Sequence, residues 1–357
     1  MTDLAAIARS GPASTAVDLA GLTVEALAAL VVELGGKPFQ GRQLFRWIHR
    51  RGVIDLDAMT DLPKDLRARL AEQAVVRTPE VVRRDVSSDG TTKLLLRLDD
   101  GREIEAVFIP DTPSQTFCIS TQVGCAMKCV FCLTGTMGLA RHLSASEIAG
   151  QIRVLARELG FLDRPFNVVL MGMGEPLHNY DATMAALRLI GSADGLHVSP
   201  RRVTLSTVGL VPGLDRLAGE DYMPNLAISL HATTEAQRDA LVPINRKYSL
   251  SDLMAACRRF PLKKRSRITF EYVLLDGVND TAEDARRLVR LMNGLRAKVN
   301  LLPLNAATGI PFGRPADQRV DAFAQILANA HITVSVRKSR GRDIRAACGQ
   351  LVVDNNN

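Results

Sequence analysis

Residues 124–132 read Gly-Cys-Ala-Met-Lys-Cys-Val-Phe-Cys, which places three cysteines in a C-x3-C-x2-C spacing. The segment follows a short apolar stretch, residues 116–120, that is typical of a β-strand. Three thiolates from one tight loop can hold three irons of a cubane and leave the fourth iron open. The alternative is a zinc site, which prefers four ligands, often as two close pairs. No fourth ligand is near in sequence, although His142 could serve, so the spacing favours an iron–sulfur cluster.

Short apolar segments alternate with helical patterns after this point, as in a parallel sheet built from strand–helix units. The candidate strands are residues 116–120, 167–171, 202–206, 225–230, 267–275 and 298–302, with 332–336 as an extra strand. These units predict an α/β fold with a partial (βα)6 barrel, because a closed eight-stranded barrel usually needs more than the roughly 240 residues left. In such barrels the functional residues follow the carboxyl ends of the strands.

Several of these strand ends carry glycines or small polar residues. Residues 171–176 read Met-Gly-Met-Gly-Glu-Pro, and glycine after a strand lets the backbone approach a ligand closely. Polar candidates at the other strand ends are Ser206, Ser229, His231 and Asn305. Each alone is equally well explained as a loop-capping residue, but together they are predicted to line one mouth.

The N-terminal third of the chain has different periodicities. Helical patterns over residues 23–34, 41–51 and 64–73 predict a small helical accessory domain. Strand-like patterns over 81–86, 92–98 and 103–109 are joined by Asp-Gly pairs at 89–90 and 100–101, which are hairpin signals. The predicted organisation is a flexible N-terminus (1–22), the helical accessory domain (23–78), a β-hairpin extension (79–115), the barrel (116–352) and a tail (353–357).

Composition and charge narrow the classes of function. The hydrophobic fraction of 46% and charged fraction of 23% are ordinary for a globular protein, and no apolar run approaches the length of a membrane span. We therefore expect a cytoplasmic protein without a membrane partner, in which six cysteines indicate metal binding or catalysis rather than disulfides. Lys and Arg outnumber Asp and Glu by 45 to 38 and cluster in residues 37–51, 258–267 and 337–345. One such run could be solvated surface, but three together favour a nucleic-acid partner.

With these residues in view, the sequence resembles the RlmN/Cfr family of radical S-adenosylmethionine (SAM) RNA adenine methyltransferases, from about Thr23 to Leu351. The segments that carry the resemblance are Lys37-Pro38-Phe39, Glu105 before Ile109-Pro110, Cys118, the cysteine loop, residues 172–176, Ser229-Leu230-His231, Val242-Pro243-Ile244-Asn245, Arg337-Lys338 and residues 346–351. The resemblance implies a radical SAM barrel in which Cys125, Cys129 and Cys132 hold a 4Fe-4S cluster whose open iron binds SAM. It also implies SAM contacts from Phe131, Gly174, Glu175, Ser206, Ser229, Leu230, His231 and Asn305.

The family's chemistry gives roles to two cysteines outside the cluster loop. A first SAM methylates Cys348, and a second supplies the radical that removes hydrogen from the S-methyl group, so two SAM molecules are used per turnover. The methylene radical adds to the electron-poor ring carbon, Glu105 accepts the ring proton, and Cys118 attacks Cys348 to release the product with a transient disulfide. From the residues alone, Cys118 would be a buried strand residue and Cys348 a helix-packing residue. Cys257 matches no family role and is interpreted as a core residue.

The resemblance also implies partners. RNA is the substrate, namely 23S rRNA and probably tRNA, with phosphate contacts from Arg337, Lys338, Arg340 and Arg342. An electron donor such as flavodoxin and a thiol reductant are expected, and the protein is expected to be a monomer. Residues 133–139, Leu-Thr-Gly-Thr-Met-Gly-Leu, are nearer to the branch of the family that methylates carbon 8. We nevertheless expect carbon 2, because the carbon-2 enzymes are the widespread members; the alternatives are a carbon-8 methyltransferase and a non-catalytic RNA-binding protein with a structural metal.

Overall fold

The computed structural model describes residues 16–110, 115–305 and 307–353. The N-terminal part contains three α-helices and one short parallel strand pair among the described residues. These elements are β1 (Val17–Asp18), α1 (Val24–Glu33), α2 (Pro38–His49), α3 (Lys64–Gln73) and β2 (Ala74–Val75). Thr23 caps α1, because its hydroxyl accepts a hydrogen bond from the Ala26 amide. Gly41 of α2 lies against Ala28 of α1, where a Cβ atom would come within 2.4 Å of the Ala28 Cα atom.

Two predictions for this region need correction. The helix predicted from residue 41 begins at Pro38, because proline suits the first helical position and lacks an amide that would need a partner there. A flexible N-terminus extending to residue 22 is wrong from Val17 onward. Strand β1 pairs with β2, and the Leu19 and Ala20 side chains that follow are fully buried. Residues 1–15 and 354–357 of the predicted terminus and tail lie outside the described residues.

The strand-like region forms an antiparallel meander of β3 (Glu80–Val86), β4 (Thr92–Arg97) and β5 (Glu103–Ile109). Its bounds match the prediction to within one residue, and Gly90 and Gly101 in the two connecting turns have φ near +80°. The meander is part of the main sheet, because β5 pairs antiparallel with the first barrel strand at 116–118. The side chains of this region therefore lie beside the barrel.

Strands and helices alternate along the rest of the chain. They are β6 (Thr116–Cys118), β7 (Gln122–Gly124), α4 (Leu133–Thr136), β8 (Leu139–His142), α5 (Ala145–Glu158), β9 (Asn167–Leu170), α6 (Tyr180–Gly191), β10 (Val203–Thr207), α7 (Val211–Leu217), β11 (Asn225–Ser229), α8 (Glu235–Leu241), α9 (Leu250–Arg259), β12 (Ile268–Leu274), α10 (Ala282–Met292), β13 (Ala297–Pro303), α11 (Asp317–Asn329) and β14 (Thr333–Val336). Every barrel strand predicted from the sequence is present, with bounds within two residues of those expected.

The strands form one mixed sheet with the order β14-β13-β12-β11-β10-β9-β6-β5-β4-β3 in the described part of the chain. All neighbours from β6 to β14 are parallel, and helices connect them, so the predicted α/β partial barrel is confirmed. Strands β14 and β3 are the two edges, and the barrel is therefore open. Phe117, Leu205, Ile228, Phe270 and Leu301 belong to one buried apolar core with residues of the surrounding helices. Of the helices described, none is long and apolar enough to cross a membrane.

Candidate active site

A cavity of about 150 Å³ opens at the carboxyl ends of the parallel strands. Its wall includes Cys125, Cys129 and Cys132, the glycine loop after β9, the ends of β10, β11 and β13, and Cys348 near the C-terminus. The structure therefore brings together most of the candidate site residues. The members of that candidate set that line the cavity are Cys125, Cys129, Phe131, Cys132, Gly174, Glu175, Ser206, Ser229, His231, Asn305, Arg337 and Cys348.

The cysteine loop is held between β7 and β8, which form an antiparallel pair that the sequence patterns did not indicate. Gly124 has φ of +77°, and a Cβ atom there would lie 1.9 Å from the Gly138 carbonyl oxygen. The Cys125 amide donates to that same carbonyl at 2.8 Å. Glycine at 124 therefore allows the loop to close tightly where the first cysteine begins.

The three thiols of this loop share a buried, anionic environment. Burial raises the pKa of Cys129, and negative charge on Cys132 and Cys125 raises it further. Burial also raises the pKa of Cys132, against hydrogen bonds from Gly135 and Thr134. Cationic iron would lower the pKa of these thiols instead, because a metal ion deprotonates its coordinating thiols. In the described part of the chain, no three His, Cys, Asp or Glu side chains converge on one metal ion. A cubane differs from such a site in that its three thiolates bond to different irons, so the donor set fits a cluster.

His142, which the alternative zinc site would need as a fourth ligand, is placed elsewhere. It lies on β8 and does not line the cavity. The Gln122 side-chain amide contacts the Nδ1 atoms of His142 and His178 at 2.9 and 3.1 Å. Oε1 of the Gln122 side chain accepts a hydrogen bond from the backbone amide of Glu175. Gln122, which the sequence analysis missed, therefore joins the cysteine hairpin to the glycine loop.

The glycine loop lines the cavity, but the contact that requires glycine is with the chain itself. A Cβ atom on Gly172 would lie 2.7 Å from the Ile119 carbonyl carbon. Gly174 has φ of +100°, and a Cβ atom there would lie 2.6 Å from the Gln122 side chain. These glycines thus seat the loop after β9 on the segment that leads into the cysteines.

Glu175 joins two strand-end loops at the bottom of the cavity. Its Oε1 accepts from the Leu177 amide and its Oε2 from the Val208 amide, at 3.0 and 2.9 Å. Burial raises its pKa to about 7 despite these hydrogen bonds. Each carboxylate oxygen can accept a further hydrogen bond, so Glu175 can also receive an N–H group from a bound molecule.

An aromatic pair forms another wall. The rings of Phe131 and His231 meet edge to face, with centroids 4.7 Å apart. The Val273 amide donates to Nδ1 of His231 at 3.0 Å, which assigns the ring proton to Nε2. Burial lowers the pKa of His231 to about 3, so the ring is neutral at physiological pH.

The remaining polar candidates contribute hydroxyl and amide groups. The hydroxyl oxygens of Ser206 and Ser229 are 3.3 Å apart across β10 and β11. Oδ1 of Asn305 is buried and has no hydrogen-bond partner among the described residues. Buried polar atoms are nearly always paired, so this acceptor is suited to a donor on a bound ligand. Leu230 does not line the cavity, since its side chain is fully buried in the core and its amide donates to the Glu271 carbonyl.

Arg238 of α8, which the sequence analysis missed, links the loops that follow β10 and β11 at the cavity. Its side chain is fully buried and donates to the carbonyl oxygens of Val208 and Leu230 and to Oδ1 of Asn245. Burial lowers its pKa to about 10, which leaves it charged at neutral pH. Nothing in the local pattern of α8 distinguishes this arginine from surface arginines.

Glu105 forms a buried ion pair at the edge of the barrel. Its Oε1 lies 2.7 Å from Nζ of Lys93, and the two side chains are 1% and 6% exposed. Its Oε2 accepts from the Val352 amide at 2.9 Å. Burial raises the pKa of Glu105, and Lys93 opposes that rise. Lys93 was missed, although a lysine inside the strand Thr-Lys-Leu-Leu-Leu-Arg is a visible exception to an apolar pattern.

Cys118 and Cys348 approach one another although they are far apart in sequence. Cys118 is buried on β6, while Cys348 is exposed at the cavity. Burial raises the pKa of Cys118 to about 12; charge on Cys348 raises it further, whereas Arg337 lowers it. Cys118 pairs across the sheet with Val107, and Val107 pairs with Lys93, so these residues share one face with Glu105.

The segment carrying Cys348 is fixed at both ends. On one side, the β3–β4 turn binds it: the Ser87 hydroxyl donates to Asp343 at 2.5 Å, and the Gly341 amide donates to Asp89 at 3.0 Å. Burial opposes ionisation of Asp89, but hydrogen bonds from Thr91 and Gly341 lower its pKa to about 2. On the other side, α4 binds it, since the Leu133 amide donates to the Gly349 carbonyl and the Thr134 hydroxyl to the Leu351 carbonyl.

The four basic candidates of this segment are distributed differently. Arg337 lines the main cavity and, with Arg340, a small adjoining cavity that also reaches Cys348. Lys338 and Arg342 are exposed on the surface. Cys257 is buried in α9, as predicted for a core residue.

Comparison with known proteins identifies the group to which this architecture belongs. A family described as "Ribosomal RNA large subunit methyltransferase N-terminal domain" matches residues 17–76, and the Radical SAM superfamily matches residues 119–291. A "Dual-specificity RNA methyltransferase RlmN" of Anaeromyxobacter dehalogenans is 52% identical over 343 residues, which cover 94% of this chain and 92% of the relative. The chain belongs to the RlmN family.

Two further similar proteins agree with this assignment. The protein of the same description from Syntrophobacter fumaroxidans is 49% identical, covering 93% of this chain and 97% of the relative. A crystal structure of a radical SAM methyltransferase from Sphaerobacter thermophilus superposes with a TM-score of 0.90 at 46% identity, covering 94% of this chain and 98% of that one. The fold is thus a radical SAM α/β fold, and membership of the superfamily implies SAM and a 4Fe-4S cluster. The three-cysteine donor set and the unpaired Asn305 acceptor fit these groups.

We predict that Arg238→Met lowers the stability of the RlmN-family barrel. Removing the guanidinium leaves buried acceptors on Val208 and Asn245 without a donor, at about 1–3 kcal/mol for each acceptor that stays unpaired, whereas the Leu230 carbonyl keeps the Ala232 amide. Arg238→Lys should be destabilising too, because an ammonium group cannot reproduce the planar set of donors. Thermal denaturation is the measurement. The control is Arg290→Met, where the side chain is 62% exposed and a change within about 0.5 kcal/mol is expected. Equal midpoints for Arg238→Met and the control would contradict the role of Arg238.

Proposed function

We propose that this protein methylates carbon 2 of an adenosine in 23S rRNA, and in tRNA, through an S-methylcysteine formed on Cys348. The observation that carries the proposal is the placement of Cys348 in the cavity wall with the cysteines of residues 125–132, while Cys118 lies near enough for its pKa to respond to Cys348 and Glu105 binds the Val352 amide of the same C-terminal segment. Membership of the RlmN family supports the chemistry. The description of its relatives as dual-specificity RNA methyltransferases supports RNA of two kinds as the substrate.

The cofactors are assigned to the cavity. In this proposal Cys125, Cys129 and Cys132 hold the 4Fe-4S cluster, and Phe131, Gly174, Glu175, Ser206, Ser229, His231 and Asn305 form the SAM site. Leu230 supports its neighbours Ser229 and His231 from the core rather than contacting SAM. When bound, the cluster and SAM supply a methyl group and carbon-radical chemistry. Two SAM molecules are used per turnover, because the methyl group and the radical come from different molecules.

The remaining steps belong to the residues of the chain. Cys348 carries the methyl group at a place open to the cavity, so RNA can reach it. Carbon 2 of adenine is electron-poor, and it therefore reacts with a radical on the S-methyl carbon rather than as a nucleophile. After the radical adduct has passed its unpaired electron to a one-electron acceptor, Glu105 accepts the ring proton. The Cys118 thiolate then attacks the sulfur of Cys348, and the electron pair of the broken sulfur–methylene bond takes up a proton, which leaves a methyl group on the ring. The resulting disulfide is reduced by a thiol reductant.

Positive charge beside Cys348 assists this cycle. Burial raises the pKa of Cys118 to about 12, and Arg337 opposes that rise, which favours the attacking thiolate. We propose that Lys338, Arg340 and Arg342 hold RNA phosphates with Arg337, so that a base turned out of its stack enters the cavity. Three expectations stay predictions: that an electron donor such as flavodoxin serves the protein, that the protein is a monomer, and that it is located in the cytoplasm.

Carbon 8 is the second candidate position of methylation. The loop that resembles the carbon-8 branch, residues 133–139, is also the loop that binds the backbone of Gly349 and Leu351. A change in this loop would shift Cys348 relative to the base.

We predict 2-methyladenosine in nucleoside digests of 23S rRNA and tRNA from cells that express the protein, measured by chromatography and mass spectrometry against a strain lacking the gene. Accumulation of 8-methyladenosine would assign the other position.

We predict opposite behaviour for the two cysteines outside the cluster loop. Cys348→Ala removes the methyl carrier, so neither methylated RNA nor a protein–RNA adduct forms. Cys118→Ala keeps the carrier but removes the thiol that releases it, so protein accumulates covalently bound to RNA. Denaturing gels with and without ribonuclease measure the adduct. Cys257→Ala is the control, because Cys257 is a buried cysteine of α9 outside the cavity wall, and it should show normal product and no adduct. Full methylation by Cys348→Ala would rule out the carrier mechanism.

We predict that alanine at Cys125, Cys129 or Cys132 abolishes cluster assembly, because each thiolate anchors one iron. After anaerobic reconstitution, iron and sulfide analysis should give about four of each per chain for the unsubstituted protein and for Cys257→Ala. The three loop variants should fall well below this and should not cleave SAM. Tightly bound zinc in the unsubstituted protein, without SAM cleavage, would instead support an RNA-binding protein with a structural metal.

A further inference from the structure

We infer that Lys93 is a positioning residue that keeps Glu105 ionised and aligned, so that Glu105 can accept the ring proton. The inference rests on the proposed function, since it concerns the proposed base. It goes beyond that function by adding a buried residue of a neighbouring strand to the proton-transfer step. In that step the ring C–H bond breaks, its electron pair stays with the ring, and the proton moves to a carboxylate oxygen of Glu105.

The register of the meander places Lys93 at Glu105. Lys93 pairs directly with Val107 on β5, and Leu95 pairs with Glu105. Residues two positions apart on a strand share a face, so Lys93 and Glu105 are diagonal neighbours on one face of the sheet. The N–O distance of 2.7 Å is that of a charge-assisted hydrogen bond. Lys93 is therefore held where it binds one particular oxygen, Oε1, and leaves Oε2 to face the C-terminal segment.

Glu105 needs such a partner because its surroundings oppose a negative charge. A carboxylate that is 1% exposed loses most of its hydration, and burial without compensation can raise a carboxyl pKa by about 3–5 units. Met173 and Ser120 contact only the backbone of Glu105. The groups around its carboxylate come from three elements: Lys93 of β4, the Val352 amide, and Arg83 of β3, with Asp85 of β3 behind Lys93. Lys93 is the one cation among them that contacts the carboxylate directly.

The charge of Lys93 is directed mainly at Glu105. Its other carboxylate neighbour, Asp85, lies at 4.0 Å and also binds Arg83, at 3.1 Å. A lysine that only stabilised the sheet could remain at the surface, where an ion pair contributes little. Here an ammonium group is taken out of water to contact a carboxylate, and the net stabilisation from such a buried ion pair is small. The burial of Lys93 is therefore better explained by its effect on Glu105, which it keeps ionised.

The test measures release of the protein–RNA adduct as a function of pH, using full-length protein with its reconstituted cluster, SAM and substrate RNA. In Lys93→Met the pKa of Glu105 rises, so the base is protonated at pH 7 and the adduct accumulates. We expect release at least about tenfold slower at pH 7, with recovery as the pH is raised by one unit or more. Lys93→Arg restores the positive charge and should release the adduct nearly normally. Glu105→Gln should retain the adduct at every pH.

A second measurement follows the proton on Glu105 without any cofactor. Infrared difference spectra of the unloaded protein should show a protonated-carboxyl band in Lys93→Met at neutral pH that is weaker in the unsubstituted protein. The double variant Lys93→Met/Glu105→Gln removes this band and so assigns it to Glu105. Mass spectrometry of Cys348 methylation in cells reports whether each variant is folded and performs the earlier step.

The outcomes separate this inference from the proposed function. If Cys118→Ala gives no adduct, the carrier mechanism itself fails. If Cys118→Ala and Glu105→Gln accumulate adduct while Lys93→Met releases it with an unchanged pH profile, only the role of Lys93 is overturned. An adduct in Lys93→Met that high pH does not release, without the carboxyl band, would likewise overturn it and leave Lys93 as a purely structural residue.

Discussion

Parallel pairing from β6 to β14 is the constraint on which the site depends. Parallel strands place their carboxyl ends at the same rim, so the loops after β6, β9, β10, β11 and β13 meet although they are scattered along the sequence. The rim is then fixed by groups that link neighbouring loops rather than by the strands alone. Glu175 joins the loops after β9 and β10, and Arg238 joins those after β10 and β11. Polar groups below the cavity therefore set the shape of the surface that a ligand meets.

The antiparallel meander contributes a different kind of group. Its strands add to the edge of the parallel sheet, which brings Lys93 and Glu105 into the same face as Cys118. The β3–β4 turn also binds the segment that carries Cys348. A region that could be taken for an appendage to the barrel thus supplies the proposed base, its counter-charge and the support of the methyl carrier.

The sequence predicted the parts of this molecule that depend on local pattern. The strands are predicted to within two residues because apolar runs bounded by turn residues are a local property. The three-cysteine spacing is likewise visible within one loop, where it predicts a cluster. The ion pair of Lys93 with Glu105 depends on cross-strand register, which no single strand encodes. Arg238 resembles a surface arginine of α8 until the helix is docked. The approach of Cys118 to Cys348 was implied only by family resemblance, since nothing in the intervening 229 residues indicates it.

The attachment of the Cys348 segment has a consequence for the order in which the molecule assembles and comes apart. Its hydrogen bonds to Ser87, Asp89 and Glu105 join residues separated by 256, 252 and 247 positions along the chain. Contacts of such long range repay the entropy of loop closure only after the intervening chain has folded, so they are among the last to form. Ala346, Ala347 and Leu351 of this segment are buried, so it closes over a core that must already be in place. The segment that carries Cys348 is thus a late-folding element added to an early-folding barrel.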